Sequence, residues 1–248
     1  MYLVGDIGNT EIKICLFSDK EELLKKVRFS SQNLNKKYLN KNLKFLENKN
    51  YNFDKVVFCS VVPSAFKIIK KFIENSYKIK CFELKKLSLK KLVNIKVNKK
   101  QIGSDRIANA ISVIDKKNNF IIVDFGTATN FDVVISKNYV GGILAPGVQL
   151  SLKSLSEKAS LIPKIHLKKA KKVIGKNTVS ALRSGFYHGY SGLIDNIIKL
   201  IIKQTRKQFK IILTGGYSYL FKNSIKGKVL VNKDLTINGV LKVVKTLK

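Results

Sequence analysis

Residues 123–134, VDFGTATNFDVV, decide the fold, because residues 5–17, GDIGNTEIKICLF, have nearly the same shape. Each stretch runs apolar residues into an aspartate, turns at a glycine followed within two positions by a threonine, and resumes as an apolar strand. Both read as two short strands joined by a tight glycine-containing turn. DIGNT at 6–10 and DFGTAT at 124–129 stand 118 positions apart at equivalent points of the chain.

The segments around these turns alternate in type. Residues 33–49 are polar, lysine-rich and helical in pattern. FDKVVFCSVVPS (53–64) reads as a buried strand ending in a proline turn, AFKIIKKFIENS (65–76) as a helix, and YKIKCFEL (77–84) as a strand. A basic loop covers 86–100. GSDRIANAISVIDKK (103–117) places Ile107, Ala110, Ile111 and Ile114 at helical spacing. From 119 the strand-turn-strand unit recurs, and NYVGGILAPG (138–147) adds a third strand and a loop. Residues 148–158 and 176–206 read as helices, FKIILTGGYSYLF (209–221) as strand, turn and helix start, and the segment from Leu235 as an amphipathic helix. Alternating strands and helices predict an α/β architecture, and the near-repeat predicts two similar domains facing one another. The boundary falls near 115–119, giving domains 1–116 and 117–248.

Composition narrows the function. The 248 residues are 45% apolar, which suits a packed globular protein. No apolar run approaches the roughly 20 residues of a membrane-spanning helix, and MYLVGDIGNT does not resemble a secretory signal; these features predict a cytoplasmic chain without a membrane partner. Cys15, Cys59 and Cys81 form no CxxC pair and read as small buried hydrophobes. With His166 and His188 as its only histidines, the chain cannot build a histidine-rich metal site. A formal net charge of +32 would attract nucleic acid. However, 44 of the 48 cations are lysines spread along the whole chain, as an A/T codon bias would also produce; only Arg28, Arg106, Arg183 and Arg206 are arginines.

Neither a P-loop nor a GxGxxG fingerprint is present, so phosphate binding falls to the two glycine turns. A tight turn exposes backbone N–H groups, and Thr10, Thr127 and Thr129 would add hydroxyls. Asp124 and Asp132, scarce carboxylates in this chain, would hold cations beside the phosphates. One such turn alone reads as an ordinary hairpin; two matching ones read as function. Asp105 and Arg106 read equally as helix cap and surface partner or as a general base beside a carboxylate-gripping guanidinium. Gly141, Gly142, Pro146 and Gly147, like Thr214, Gly215 and Gly216, mark loops where backbone passes close to something. Gly185, Gly189, Gly192 and His188 read as helix packing, whereas Thr178 and Arg183 lie where that helix could point into a site.

In order along the chain, DIGNT (6–10), CSVVP (59–63), GSDR (103–106), DFGTATNFD (124–132), GGILAPG (141–147), LSEKASLIP (155–163), GKNT (175–178) and LTGG (213–216) resemble the type III pantothenate kinases. The resemblance implies an α/β fold of two ribonuclease-H-like domains in the actin-like/sugar-kinase-like ATPase superfamily, and usually a homodimer. It implies ATP-dependent phosphorylation of pantothenate to 4′-phosphopantothenate, the first step of coenzyme A synthesis. By position it makes Asp105 the general base. It gives ATP and Mg²⁺ to Asp6, Ile7, Gly8, Asn9, Thr10, Glu11, Ile12 and Lys13 with Thr127, pantothenate to Gly103, Ser104, Asp105, Arg106 and Thr178, and a monovalent cation, K⁺ or NH₄⁺, to Asp124. The chain departs from the family pattern at NIKVNKKQIG (94–103), which keeps Asn98 but has neither the usual Tyr nor Pro. Two rival readings remain on the same fold: a non-enzymatic, nucleic-acid-binding accessory factor of transcription, and a sugar or acetate kinase.

Overall fold

The computed structural model describes residues 1–48 and 51–247; Lys49, the last residue of the helical reading of 33–49, and Lys248 lie outside them. The chain divides into two compact units, Met1–Ile114 with Lys137–Tyr139 and Asp234–Lys248, and Asp115–Ser136 with Val140–Lys233.

In the first unit, β1 (Tyr2–Ile7), β2 (Glu11–Phe17) and β3 (Leu23–Ser30) form an antiparallel ribbon. β4 (Lys55–Ser60) and β5 (Cys81–Glu83) extend it in parallel on the other side of β1, giving the order β3-β2-β1-β4-β5. β3 was not legible as a strand. It is an edge, burying only Phe29, and its lysines guard the open side of the sheet instead of alternating with apolar residues. The strand expected over 77–84 shrinks to β5. Between strands lie α1 (Lys36–Leu43), followed by a short 3₁₀ turn, and α2 (Pro63–Tyr77). Pro63 does not end a strand in a turn; it opens α2, where its fixed φ and missing N–H cost nothing. Ala65, Ile69, Phe72 and Ile73 form the buried stripe of α2 and join Phe58, Ile12 and Ile14 in the core. The expected basic loop contains only the two-residue β6 (Asn94–Ile95), paired with Asn138 and Tyr139. α3 (Ser104–Val113) follows.

The second unit repeats the plan. β7 (Asn119–Phe125) and β8 (Ala128–Ile135) form an antiparallel hairpin, with β9 (Asn138–Pro146) beside β8. α4 (Val148–Lys158) and α5 (Thr178–Thr205) come next. β10 (Lys210–Gly215) and β11 (Val229–Val231) then lie parallel to β7 on its other side, with α6 (Ser218–Phe221) between them. In this six-stranded sheet, which also includes β6 next to β9, the five strands β11-β10-β7-β8-β9 repeat the order of the first sheet. Phe125, at the end of β7, stacks on Phe221 at 5.2 Å, and Tyr187 of α5 stacks on the same ring at 5.8 Å. The end of the central strand is thereby held from the α5 side.

α7 (Leu235–Val244) differs from the expected division, which gave 117–248 to one domain. It packs on α3, β1 and β4 and so belongs with the first unit. The packing is tight enough that a Cβ at Gly239 would overlap the carbonyl of Ala108. That carbonyl belongs to a helix backbone and cannot turn aside. Gly239→Ala is therefore expected to destabilise the chain by about 2–3 kcal/mol, read as a lower urea midpoint. Gly192→Ala, on α5 with nothing within 4 Å of its Cβ position, should instead gain about 0.5–1 kcal/mol from helix propensity.

Candidate functional site

The first unit places Asp6 next to last on β1, opposite Lys13 on β2 and beside Cys59 on β4. Gly8 closes the following turn by donating its N–H to Glu11 O at 3.0 Å, so that N–H belongs to the turn itself. Ser31 fixes the tip from one side: its N–H donates to Thr10 O at 3.1 Å and its hydroxyl to Asn9 O at 2.6 Å. Asn9, Thr10 and Glu11 are exposed. Ile7 and Ile12 are fully buried and anchor the hairpin, so they can meet a ligand only through backbone. Lys13 lies 3.6 Å from the Asp234 carboxylate, which also accepts a 2.6 Å hydrogen bond from Lys26.

Three carboxylates surround a buried thiol here. Cys59 Sγ donates to Asp6 Oδ1 at 3.2 Å. Burial pushes the Cys59 thiol well above its ordinary range, and the charges of Asp6, Asp105 and Glu83 push the same way. Burial also lifts Asp6 to about 6; the Cys59 hydrogen bond opposes this and the charge of Asp105 adds to it. Asp105 is raised as well, because burial outweighs the Arg106 N–H bond at 2.8 Å and the Arg106 charge. A carboxylate raised in this way is a better proton acceptor at neutral pH.

The loop before Asp105 is shaped for it. A Cβ at Gly103 would overlap Asp105 Oδ1, so glycine is what leaves room for that carboxylate. Ser104 is buried, and its hydroxyl donates to Glu83 Oε1 at 2.6 Å. That hydroxyl is thus committed inside the protein, which does not fit a side-chain contact between Ser104 and substrate. Arg106 lies over the Tyr139 ring, 5.9 Å from its centroid. Asn98, the residue kept where the family pattern lapses, accepts from Lys100 N at 3.0 Å and shapes the turn leading to Gly103.

In the second unit Asp124 takes the matching lattice position: next to last on β7, opposite Asn130 on β8 and beside Thr214 on β10. Its turn is one residue tighter, with Gly126 N–H donating to Ala128 O at 3.0 Å. Thr127 is exposed at the tip. Thr129, expected to offer a hydroxyl to phosphate, is fully buried and donates to Pro146 O at 3.2 Å. Asp132, expected to hold a cation, is fully buried in mid-strand opposite Ile122, away from the turn. The glycine loops do pass close to something, namely this turn. A Cβ at Gly147 would overlap Thr127 O, and one at Gly215 would stand 2.5 Å from Phe125 O and 2.7 Å from Asp124 Oδ1. Gly215 also has φ +82°, which only glycine adopts freely.

α5 starts with a capping box in which Asn177 and Ser180 satisfy each other's backbone N–H groups. Thr178, its first residue, is exposed and lines a cavity of about 910 Å³ between α4 and α5, together with Ser151, Gly185, Gly189 and Tyr190. Gly185, Gly189 and Gly192 face open space instead of packing against a neighbour, contrary to the sequence expectation. His188 does pack, edge-on to Tyr187 at 5.1 Å. Arg183 Nε is buried without a hydrogen-bond partner. Sequence reasoning missed Cys59, Glu83, Ser31 and Asp234 as members of these constellations, because each joins through a partner more than twenty positions away.

A family model described as type III pantothenate kinase matches residues 2–200. A type III pantothenate kinase of Pelagibacter ubique (strain HTCC1062) is 59% identical over 248 residues, covering 100% of both chains. One of Finegoldia magna is 35% identical, covering 99% of this chain and 97% of that one. Among solved structures, a Sinorhizobium meliloti protein provisionally described as a 2-dehydro-3-deoxygalactonokinase superposes with TM-score 0.61 at 9% identity, covering 98% of each chain. A Campylobacter jejuni protein provisionally described as a Baf-family transcriptional activator gives 0.60 at 21%, covering 98% of this chain and 97% of that one. At such identities these structures share the fold, that of the actin-like sugar-kinase ATPases.

The raised pKa of Asp6 has a stability consequence. Folded at about 6 against 3.8 unfolded, the group favours folding fully below pH 3.8 and loses that contribution as pH rises through 6. At pH 7.5 its charge works against the fold. Asp6→Asn should therefore melt about 2–5 °C higher than the natural chain at pH 7.5 without divalent cations, and the gap should close by pH 4. A lower midpoint for the variant at pH 7.5 would show that the carboxylate is instead stabilised by its surroundings.

Proposed function

This chain belongs to the type III pantothenate kinase family, and from that premise we propose how its residues divide the work. The enzyme transfers the γ-phosphoryl group of ATP to the hydroxyl of pantothenate, giving 4′-phosphopantothenate; its relatives are named type III pantothenate kinases. The observation that carries the division of roles is the carboxylate cluster of the first unit, where Asp105, given room by Gly103 and raised by burial, stands within electrostatic reach of Asp6 at a glycine turn.

Asp105 takes the proton of the pantothenate hydroxyl as that oxygen attacks the γ-phosphorus; the phosphorus–oxygen bond to ADP breaks in line. Gly103 leaves space for the base, and Arg106, whose charge acts on Asp105, is the cation for a carboxylate-bearing acceptor. The backbone from Asp6 to Lys13 holds the nucleotide phosphates; in the second unit the exposed Thr127 hydroxyl is the group left for a phosphate contact. Thr178 contacts pantothenate. Positioning and electrostatics supply the rate in such transfers.

Two cations fit the residues present. Asp6, lifted to about 6 by burial and by Asp105, is a carboxylate short of positive charge, and a hydrated Mg²⁺ carried by ATP would supply it. Asp124 Oδ1 and Phe125 O converge on the space that Gly215 leaves bare, an oxygen cradle suited to K⁺ or NH₄⁺. When bound, these ions neutralise phosphate charge.

A homodimer suits the second unit. Leu144, Leu150, Leu161, Val173 and Ile174 are more than half exposed, and the apolar groove between α4 and α5 adjoins Leu155; a second copy would cover such a face. No helix among the described residues is long and apolar enough to cross a membrane. We place the enzyme in the cytoplasm, with its ATP, and assign the dispersed lysines no nucleic-acid partner.

Asp105→Asn should lower kcat by about 100-fold or more while isothermal titration shows ATP affinity within about twofold. Near-normal turnover would remove Asp105 as the base. Asp124→Ala should lose activation by K⁺ over Na⁺; an unchanged K⁺ response would separate Asp124 from the monovalent cation.

A further inference from the structure

Ile102 and Ser104 flank Gly103, and both are held from one short segment of chain. Glu83, the last residue of β5, accepts the 2.6 Å hydrogen bond of the Ser104 hydroxyl. Lys85, two residues on, donates to Ile102 O at 2.7 Å and reaches Lys100 O at 3.5 Å. The bond to Glu83 is charge-assisted and lies at a side chain only 1% exposed, where water competes little. Gly103 stands at the N-cap position of α3 and makes no side-chain bond there. Behind this first turn, α3 is fixed by α7, whose Gly239 lies against Ala108 O. Glu83 thus holds the N-terminal end of a helix that α7 packs against further along.

We infer that Glu83 is a positioning residue for phosphoryl transfer: by gripping Ser104 it sets the first turn of α3, and with it the place where Asp105 presents its carboxylate to the acceptor hydroxyl. This rests on Asp105 being the base. Without the bond, the Ser104 hydroxyl loses its hydrogen bond to the end of β5, and the carboxylate one residue on loses that anchor. Misplacement of a base by a fraction of an ångström acts on the rate and leaves nucleotide binding, on the β1–β2 turn, untouched. The role belongs to a residue that neither the glycine turns nor the GSDR motif marks.

The test compares Glu83→Ala, Ser104→Ala, the double variant and Glu83→Gln in the full chain, with thermal melts to establish that each is folded. Glu83→Ala and Ser104→Ala should each lower kcat for pantothenate about 10- to 50-fold, with ATP affinity by titration unchanged. The double variant should be no slower than the slower single one, because both remove the same bond. Glu83→Gln keeps an acceptor for the hydroxyl and should recover most of the lost rate. If Glu83→Ala does not fold, Ser104→Ala, which removes one oxygen, carries the same comparison against Glu83→Gln. Folded variants with the kcat of the natural chain, or losses that multiply in the double variant, would overturn the inference while turnover by the natural chain and its loss in Asp105→Asn leave the kinase reading standing. A natural chain that never phosphorylates pantothenate would overturn that reading, and this inference with it.

Discussion

A carboxylate held against its preference at the end of a central strand is the constraint around which the first unit is arranged. Water would solvate Asp6 better than the sheet does, and burial therefore raises its pKa. The sheet imposes the position anyway. Ile7 and Ile12 on either side of the turn are fully buried, so the register of the hairpin is set by the core, and Asp6 must follow. A stored charge imbalance of this kind is resolved by a cation or by a ligand that brings one, which makes the strand end a place where phosphate and metal chemistry can occur.

The second unit uses the same lattice for a different purpose. Asp124 occupies the equivalent position, but its neighbours are Asn130 and Thr214 where Asp6 has Lys13 and Cys59. Its turn is tighter and is crossed by Gly147 and Gly215, whose missing side chains let carbonyls and the carboxylate crowd together. Lysine and thiol beside one aspartate, amide and hydroxyl beside the other: the repeated strand order supplies two similar positions, and four neighbouring side chains make them unlike. The pairing also explains why glycine recurs in this chain at strand ends and at helix contacts. At Gly103, Gly147, Gly215 and Gly239 a Cβ would strike backbone or a carboxylate, whereas at Gly185, Gly189 and Gly192 it would meet nothing.

Much of this was legible in the sequence, for a physical reason. The two hairpins, α3 with Asp105 in its first turn, and the buried cysteines rest on local periodicity and turn chemistry, which a sequence displays directly. β3 and β11 were not legible, because edge strands bury too little to alternate: β3 buries only Phe29 and β11 only Val229. Thr129 and Thr127 looked equivalent by spacing, but the hairpin turn interrupts the alternation and sends one to solvent and the other into the core. Glu83 and Ser104 meet across 21 positions, and α7 returns to the first unit from the far end of the chain; no local pattern encodes either. The name of the substrate came from resemblance and from the relatives, since no side-chain pattern distinguishes pantothenate from another hydroxyl acceptor.

The most direct test is turnover of the purified natural chain with ATP, Mg²⁺ and pantothenate, followed by ADP release and by the phosphorylated product, in KCl and in NaCl. The account predicts one 4′-phosphopantothenate per ADP and faster turnover in KCl. Folded protein that makes no 4′-phosphopantothenate in either salt would contradict it.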